Sequence, residues 1–201
     1  EIPGTAPVGG YASYGCGSIE SSVLGEAVTV LGEYAFRNCA AVDTLYLPGT
    51  ITSIGEAAFM DCRSLTSLEL AEGITRTGSS AFMYCYALTD VSLPSTLSVI
   101  DDYTFGSCDA LKAIDIPDGV TEIGESAFDN CFSLEDTEIP ESVTGIGSWA
   151  FSGCSALESL TIPDSVTSIG SSVFGDSDII MLVYPGSYAE TYAIENEMEY
   201  E

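Results

Sequence analysis

Apolar positions along this chain return with a fixed step of 23 residues. Phenylalanine stands at 36, 59, 82, 105, 128, 151 and 174, and cysteine at 16, 39, 62, 85, 108, 131 and 154. All seven cysteines share that one register, and the next slot holds Ser177. Ile54, Ile100, Ile123, Ile146 and Ile169, mostly followed by glycine, form another column, and Leu65, Leu88, Leu111, Leu134 and Leu157 a third. Leu70, Leu93, Ile116, Ile139 and Ile162 form a fourth, with Pro94, Pro117, Pro140 and Pro163 behind its last four members.

Each period divides into two halves. The half L-x-x-L-x-L, as in Leu65 to Leu70, ends in strict alternation and is rich in aliphatic and hydroxyl residues, which predicts a strand. Proline after it ends the ladder. The half V-T-x-I-G, as in Val120 to Gly124, predicts a second short extended piece, and its glycine a tight turn. The x-x-A-F-x-x-C segment that follows predicts one or two turns of α or 3₁₀ helix, with Ala58, Phe59 and Cys62 facing inward together. No single copy can bury its own apolar side; a neighbouring copy must cover it, with like strands paired in parallel about 4.8 Å apart. A period in the range of 20–29 residues with regular aliphatic positions predicts a leucine-rich-repeat solenoid.

The expected architecture is a right-handed curved stack of about seven repeats. Parallel strands line its concave face, with short second strands and 3₁₀ or α turns on the other side. The 201 residues read as one domain: 1–15 an N-terminal arm or cap, 16–185 the repeats, 186–201 a C-terminal cap. In that cap Ser187 and Glu190 form a capping box, and Tyr188, Ala189, Tyr192 and Ala193 give an apolar face to cover the last rung.

The recurring motif I-G-x-x-A-F-x-x-C-x-x-L-x-x-L-x-I-P closely resembles the BspA-like, or Treponema-type, leucine-rich repeats over about residues 16–185. That resemblance, and not the spacing, implies a secreted or cell-surface location and a role in adhesion. Thr77 for Ile, Asp101 for Gly, Ala71 for Pro and Thr137 for Leu depart from the pattern. They are expected to weaken single rungs without breaking the register.

Charge narrows the partners. The chain holds 31 Asp and Glu against 4 Lys and Arg, no His, and a net charge of −27. Such a field repels phosphate backbones and anionic lipid, so nucleic-acid and membrane-surface roles are not expected. The longest apolar run, IIMLVY at 179–184, is strand-sized, so membrane insertion is not expected either. The start at Glu1, without an initiator methionine or signal peptide, suits a processed secreted chain or a trimmed boundary.

Four features could carry chemistry. The cysteine column lacks the C-x-x-C pairs or histidines of a metal centre, and adjacent cross-linking would distort a regular stack; the expectation is buried, reduced packing thiols, with Cys16 at the open edge the exception. A hydroxyl column, Thr29, Thr52, Thr75, Ser98, Thr121, Thr144 and Thr167, reads as a ladder supporting the second strands, because the file beside it is too irregular for an ice-binding face. Met60, Met83, Tyr84 and Tyr86, with Phe132 and Trp149 farther along, read as a flank of partly exposed aromatics and methionines. The fourth feature is the outer face of the strand half, which carries Glu69, Asp90, Asp115, Asp136 and Glu138, with Tyr46 at one end and Tyr184 at the other. Stacked carboxylates there repel by up to about 1 kcal/mol per pair. Lys112, one rung before Glu135, is expected to relieve part of that strain.

These seven residues are the candidate binding face for a macromolecular ligand, a protein of a host or neighbouring cell or a glycan. No cofactor, metal or catalytic residue is expected: no histidine can act as base, and no phosphate loop or serine elbow is present. The expected function is non-enzymatic adhesion or binding by a monomer. The rival reading is a passive spacer that displays other domains of a larger surface protein.

Overall fold

The structure, a computed structural model, describes residues 9, 10, 15, 21–24 and 28–201. Its elements in chain order are β1 (Ser21–Val23), β2 (Val30–Leu31), β3 (Thr44–Leu47), β4 (Ser53–Ile54) and β5 (Ser67–Leu70). Then come β6 (Asp90–Ser92), β7 (Val99–Ile100), β8 (Ala113–Asp115), β9 (Glu122–Ile123) and β10 (Asp136–Glu138). The chain closes with β11 (Gly145–Ile146), β12 (Ser159–Thr161), β13 (Ser168–Ile169), β14 (Ile180–Leu182) and α1 (Tyr188–Glu195). It is a parallel-strand solenoid. Within each ladder a strand pairs with its counterpart in the next rung, Leu68 with Val91 and Ile123 with Ile146 for example, so the step of 23 read from the sequence is the pairing register everywhere but at the last pair.

The core is a set of columns. Phe36, Phe59, Phe82, Phe105, Phe128 and Phe151 stack face to face at 5.2–5.8 Å and interplanar angles of 3–14°. Only the last step, to Phe174, tilts to 57°. Beside them Cys39 to Cys154 are fully buried, free thiols. Each thiol from Cys62 onward donates to the phenylalanine carbonyl of the preceding rung, at 3.4 Å for Cys62 to Phe36 and 3.2 Å for Cys154 to Phe128. Cys16 lies outside the described residues.

The A-F-x-x-C segment is not helical. The i→i+3 bonds of a 3₁₀ turn are present, but only at alternate residues: Ala58, Met60 and Cys62 donate to Gly55, Ala57 and Phe59 within the rung. The residues between them, Ala57, Phe59 and Asp61, donate instead to Ser79, Ala81 and Met83 of the next rung at 2.8–2.9 Å. This alternation needs left-handed backbone. Tyr34, Ala57, Ser80, Tyr103, Ser126, Trp149 and Ser172 have φ of 51–57°, and Asn38, Asp61, Tyr84, Ser107 and Asn130 have φ of 57–67°. A non-glycine residue is held there at a cost of roughly 1–2 kcal/mol, which the inter-rung hydrogen bonds help to offset. Two positions earlier most rungs carry glycine for another reason: a Cβ at Gly147 would lie 2.4 Å from the Glu125 nitrogen.

The hydroxyl column behaves as expected. Thr52, Ser98, Thr121, Thr144 and Thr167 each donate to the backbone carbonyl of the hydroxyl residue 23 positions earlier, at 3.0–3.4 Å. Two of the departures from the motif are coupled rather than independent. Thr77 and Thr104 are both fully buried. The Asp101 N–H donates to Thr77 Oγ1 (2.9 Å), Thr77 Oγ1 lies 2.8 Å from Thr104 Oγ1, and Thr104 Oγ1 donates back to the Asp101 carbonyl (2.7 Å). Outside this ring the Asp101 carboxylate pairs with Arg76 and accepts from the Gly78 N–H. The second-strand sheet is interrupted at this rung: β2–β4 and β7–β9–β11–β13 are separate ladders, and between them Arg76 makes an isolated bridge to Val99 of β7.

The C-terminal end closes the stack twice. Ser187 caps α1, its side chain accepting from Glu190 N–H at 3.0 Å, while the Glu190 carboxylate reaches back to Gly186 N–H at 2.7 Å. Ala189, Tyr192 and Ala193 are buried against the last rung, and the Tyr192 hydroxyl donates to the Gly170 carbonyl at 2.7 Å. Tyr188, expected on that face, is 45% exposed because it points off the first turn. Beyond the helix the tail adds an edge of its own: Met181 N–H donates to Glu199, and Glu201 N–H to Met181. Among the described residues no helix is long and apolar enough to cross a membrane.

Candidate binding face

The strand half presents two outward files. One runs Tyr46–Glu69–Ser92 along β3–β5–β6, then Asp115–Glu138 along β8–β10, then Thr161–Leu182 along β12–β14. The other runs Thr44–Ser67–Asp90, then Ala113–Asp136, then Ser159–Ile180. Leu45, Leu68, Ile114, Leu160 and Met181, between the files, point inward and are at most 3% exposed. Alternation along each strand therefore places every acidic candidate in solvent: Glu69, Asp90, Asp115, Asp136 and Glu138 are all exposed. Tyr46 is half-buried at the N-terminal end.

The carboxylates are less crowded than the sequence implies. Within a ladder only Asp115 and Glu138 are direct neighbours; Glu69 stands between Tyr46 and Ser92, Asp90 beside Ser67, and Asp136 beside Ala113. Lys112 does not pair with Glu135. Its carbonyl accepts the Glu135 and Asp136 N–H groups, and among the described residues its ammonium makes no ion pair within 4.0 Å. Tyr184 lies apart from the other candidates. Between β12 and β14 the register step is 21, not 23, since Ser159 faces Ile180. Tyr184 therefore falls two residues past the end of β14, 46% exposed, outside both files.

The face is not one unbroken sheet. Its ladders are β1–β3–β5–β6, β8–β10 and β12–β14. At each break a shallow open depression of about 510 Å³ forms. The first is lined by Glu69, Asp90, Ser92, Lys112 and Asp115, the second by Glu135, Asp136, Thr137, Glu158 and Ser159. Both breaks follow a strand whose inward residue is small and β-branched: Val91 in β6 and Thr137 in β10, each half-buried. Thr137 spends its hydroxyl on the Ile114 carbonyl behind it, at 3.1 Å. Leu45, Leu68, Ile114 and Leu160, at the same place in β3, β5, β8 and β12, are larger and buried. Thr137 was visible as a departure from the motif, whereas Val91 passes as an ordinary aliphatic residue and gives no warning.

Among the described residues no group of three or more His, Cys, Asp or Glu side chains is placed to hold a metal ion. What this face offers is breadth: exposed carboxylates and hydroxyls on a shallow surface with two dents.

The BspA type leucine rich repeat region matches in six copies over residues 6–131 and 75–198, and the chain belongs to that family. A leucine-rich repeat protein from Bacteroides ovatus shares 27% identity and a TM-score of 0.68, over 96% of this chain and 54% of the other. The chain thus spans about half the length of that relative. The T. pallidum leucine rich repeat protein shares 25% identity and a TM-score of 0.61, over 79% of this chain and 85% of its own. A leucine rich cell surface protein from Faecalibacterium prausnitzii has the same fold, at 24% identity and a TM-score of 0.55, over 89% of this chain and 64% of its own. A comparison with proteins of curated function found no match.

Proposed function

We propose that this chain is a non-enzymatic binding module, secreted or displayed on the cell surface, that holds a macromolecular partner on the outer face of its strand half. The observation that carries the reading is the contrast between interior and face. The interior is filled by phenylalanine, cysteine and leucine columns, and the exposed strand residues form a broad acidic surface with two open depressions. A surface of that kind suits many weak contacts over a standard interface of roughly 800 Å² per partner. Its charge favours basic or neutral proteins and neutral glycans. Family membership and the cell-surface relative support the location.

The test is a binding screen against matrix proteins, mucins and glycans, run with the native chain and with Glu69→Gln, Asp90→Asn, Asp115→Asn, Asp136→Asn and Glu138→Gln combined. The variant should fold as well as the native chain, and its binding to any hit should fall at least tenfold and lose its salt dependence. A hit bound equally by both proteins moves the site off this face. Absence of any hit favours the spacer role, in which the same regular stack serves as a rod.

A further inference from the structure

The two breaks in the strand face are also gaps in its backbone bonding. Where a ladder is intact, the carbonyl just before each strand accepts a pair of N–H groups from the next rung. Asp43 accepts from Thr66 and Ser67, Thr66 from Thr89 and Asp90, and Lys112 from Glu135 and Asp136. The same step fails twice. Among the described residues no hydrogen bond joins β6 to β8 or β10 to β12. The Thr89 and Glu135 carbonyls therefore lack the N–H groups that the pattern assigns to them, and the N–H groups of Lys112, Ala113, Glu158 and Ser159 lack a carbonyl. All of these residues line the depressions: Thr89, Lys112 and Ala113 the first, Glu135, Glu158 and Ser159 the second. Each depression thus sets an unmet acceptor beside unmet donors.

The depressions are joined and evenly placed. A third, of about 320 Å³, shares Ala113 and Asp115 with the first and Asp136 and Thr137 with the second, so the three make one trough along the stack. Ala113 and Ser159, equivalent points of the two gaps, are two periods apart. That is roughly 10 Å at a strand spacing of about 4.8 Å. An occupant that satisfies both gaps must repeat at that step and must both donate and accept. An extended peptide returns the same face every second residue, roughly 6.6 Å, and falls out of step. Basic side chains only donate, which leaves the N–H groups unmet. Sugar hydroxyls do both. In a straight β-linked glycan every second sugar presents the same edge, and one such pair is about as long as two rungs. Charge sets the last condition: Lys112 borders the first gap, but Glu135 and Glu158 border the second, which repels an acidic polymer and not a neutral one.

We propose that the trough binds a straight, neutral, β-linked glycan laid along the stack, with alternate sugars hydrogen-bonded to bare main chain at the two gaps. This rests on the strand-face reading and names the class of its ligand.

The experiment is an NMR titration of the native chain with cellohexaose, mannohexaose and chitohexaose, with their disaccharides, and with the coiled maltohexaose. At least one straight hexamer should shift the amides of residues 112–113 and 158–159 together. It should bind at least about tenfold more tightly than its disaccharide, because one chain reaches both gaps. Maltohexaose should show no such gain over maltose. Ala113→Leu and Ser159→Leu, at outward positions, should each remove the gain with the melting temperature unchanged. Thr44→Leu, at the same place in an unbroken ladder, should leave binding as it was. Absence of binding by every straight hexamer, shifts at one gap alone, an equal gain for maltohexaose, or full binding by Ala113→Leu would each overturn the proposal. A protein hit lost in the variant with five strand-face amides, with no hexamer bound, would overturn it and leave the strand-face reading standing. A hexamer whose shifts fall only on the turn side would overturn both.

Discussion

Raising the pH from 8 to 10 should dismantle this protein through its cysteine column. Cys62, Cys85, Cys108, Cys131 and Cys154 are wholly buried. Burial pushes the Cys62 and Cys154 thiols up to about 12, and those of Cys85, Cys108 and Cys131 well above the ordinary thiol value. In the unfolded chain each thiol ionises near 8.5. Below that pH both states keep their protons and the contribution of the buried thiols is fully present. Above it the unfolded chain releases protons that the native stack retains, so stability is lost as pH climbs toward 12, by about 1.4 kcal/mol per thiol per unit. At pH 10 the loss is about 2 kcal/mol per thiol and about 10 kcal/mol for five, as large as the whole stability of an ordinary domain. Urea midpoints measured at half-unit steps from pH 7 to 10.5 would read the slope. The comparison is with Cys108→Ala, whose slope should be shallower by one thiol's worth. A stability flat between pH 8 and 10, an unchanged slope in the variant, or thiols that react with an aromatic disulfide reagent before unfolding would refute the reasoning.

Two further outcomes follow from the packing. Phe128→Ala opens a cavity between Phe105 and Phe151 and should cost roughly 3–5 kcal/mol, felt in neighbouring rungs that lend each other stability; an unchanged melting temperature would reject the stacking. Thr77→Val and Thr104→Val each strand buried partners of the Asp101 ring and should cost about 2 kcal/mol apiece. Combined they should cost about 1 kcal/mol less than the sum, and strict additivity in thermal unfolding would mean the two hydroxyls do not act together.

The columns were legible because they obey one arithmetic. Phe, Cys and Leu at a step of 23 announced their own burial, and Ser187 with Glu190 announced the start of α1. What escaped the sequence lay where physics is indifferent to side-chain pattern. Left-handed backbone at Ala57, Tyr103 or Trp149 has no signature, because these are not residues that favour it. The i and i+3 spacing of Ala58, Phe59 and Cys62 fitted a helix, yet a strand-like ladder between rungs satisfied the backbone better. Along the strand face, alternation placed the carboxylates correctly in solvent, but it could not reveal the breaks after Val91 and Thr137. The two residues missing from the last period moved Tyr184 off the face. Thr77, Asp101 and Thr104 sit in separate columns of the motif, so their mutual bonding required the stack to be built first.

The hydrogen-bond register also bears on how such a chain changes size over generations. In the regular rungs cross-rung bonds join residues 22, 23, 24 or 26 positions apart, so duplicating or excising one whole unit hands each surviving group a chemically equivalent partner. Adding or removing a whole unit therefore leaves the backbone pairing pattern of the remaining regular rungs unchanged. Two places are exempt. A crossover between Thr77 and Thr104 would separate two buried hydroxyls that bond to each other and to Asp101, and one beyond Phe174 would meet the shortened step of 21 that seats the cap. The other described rungs are interchangeable parts; these two joints work only as pairs.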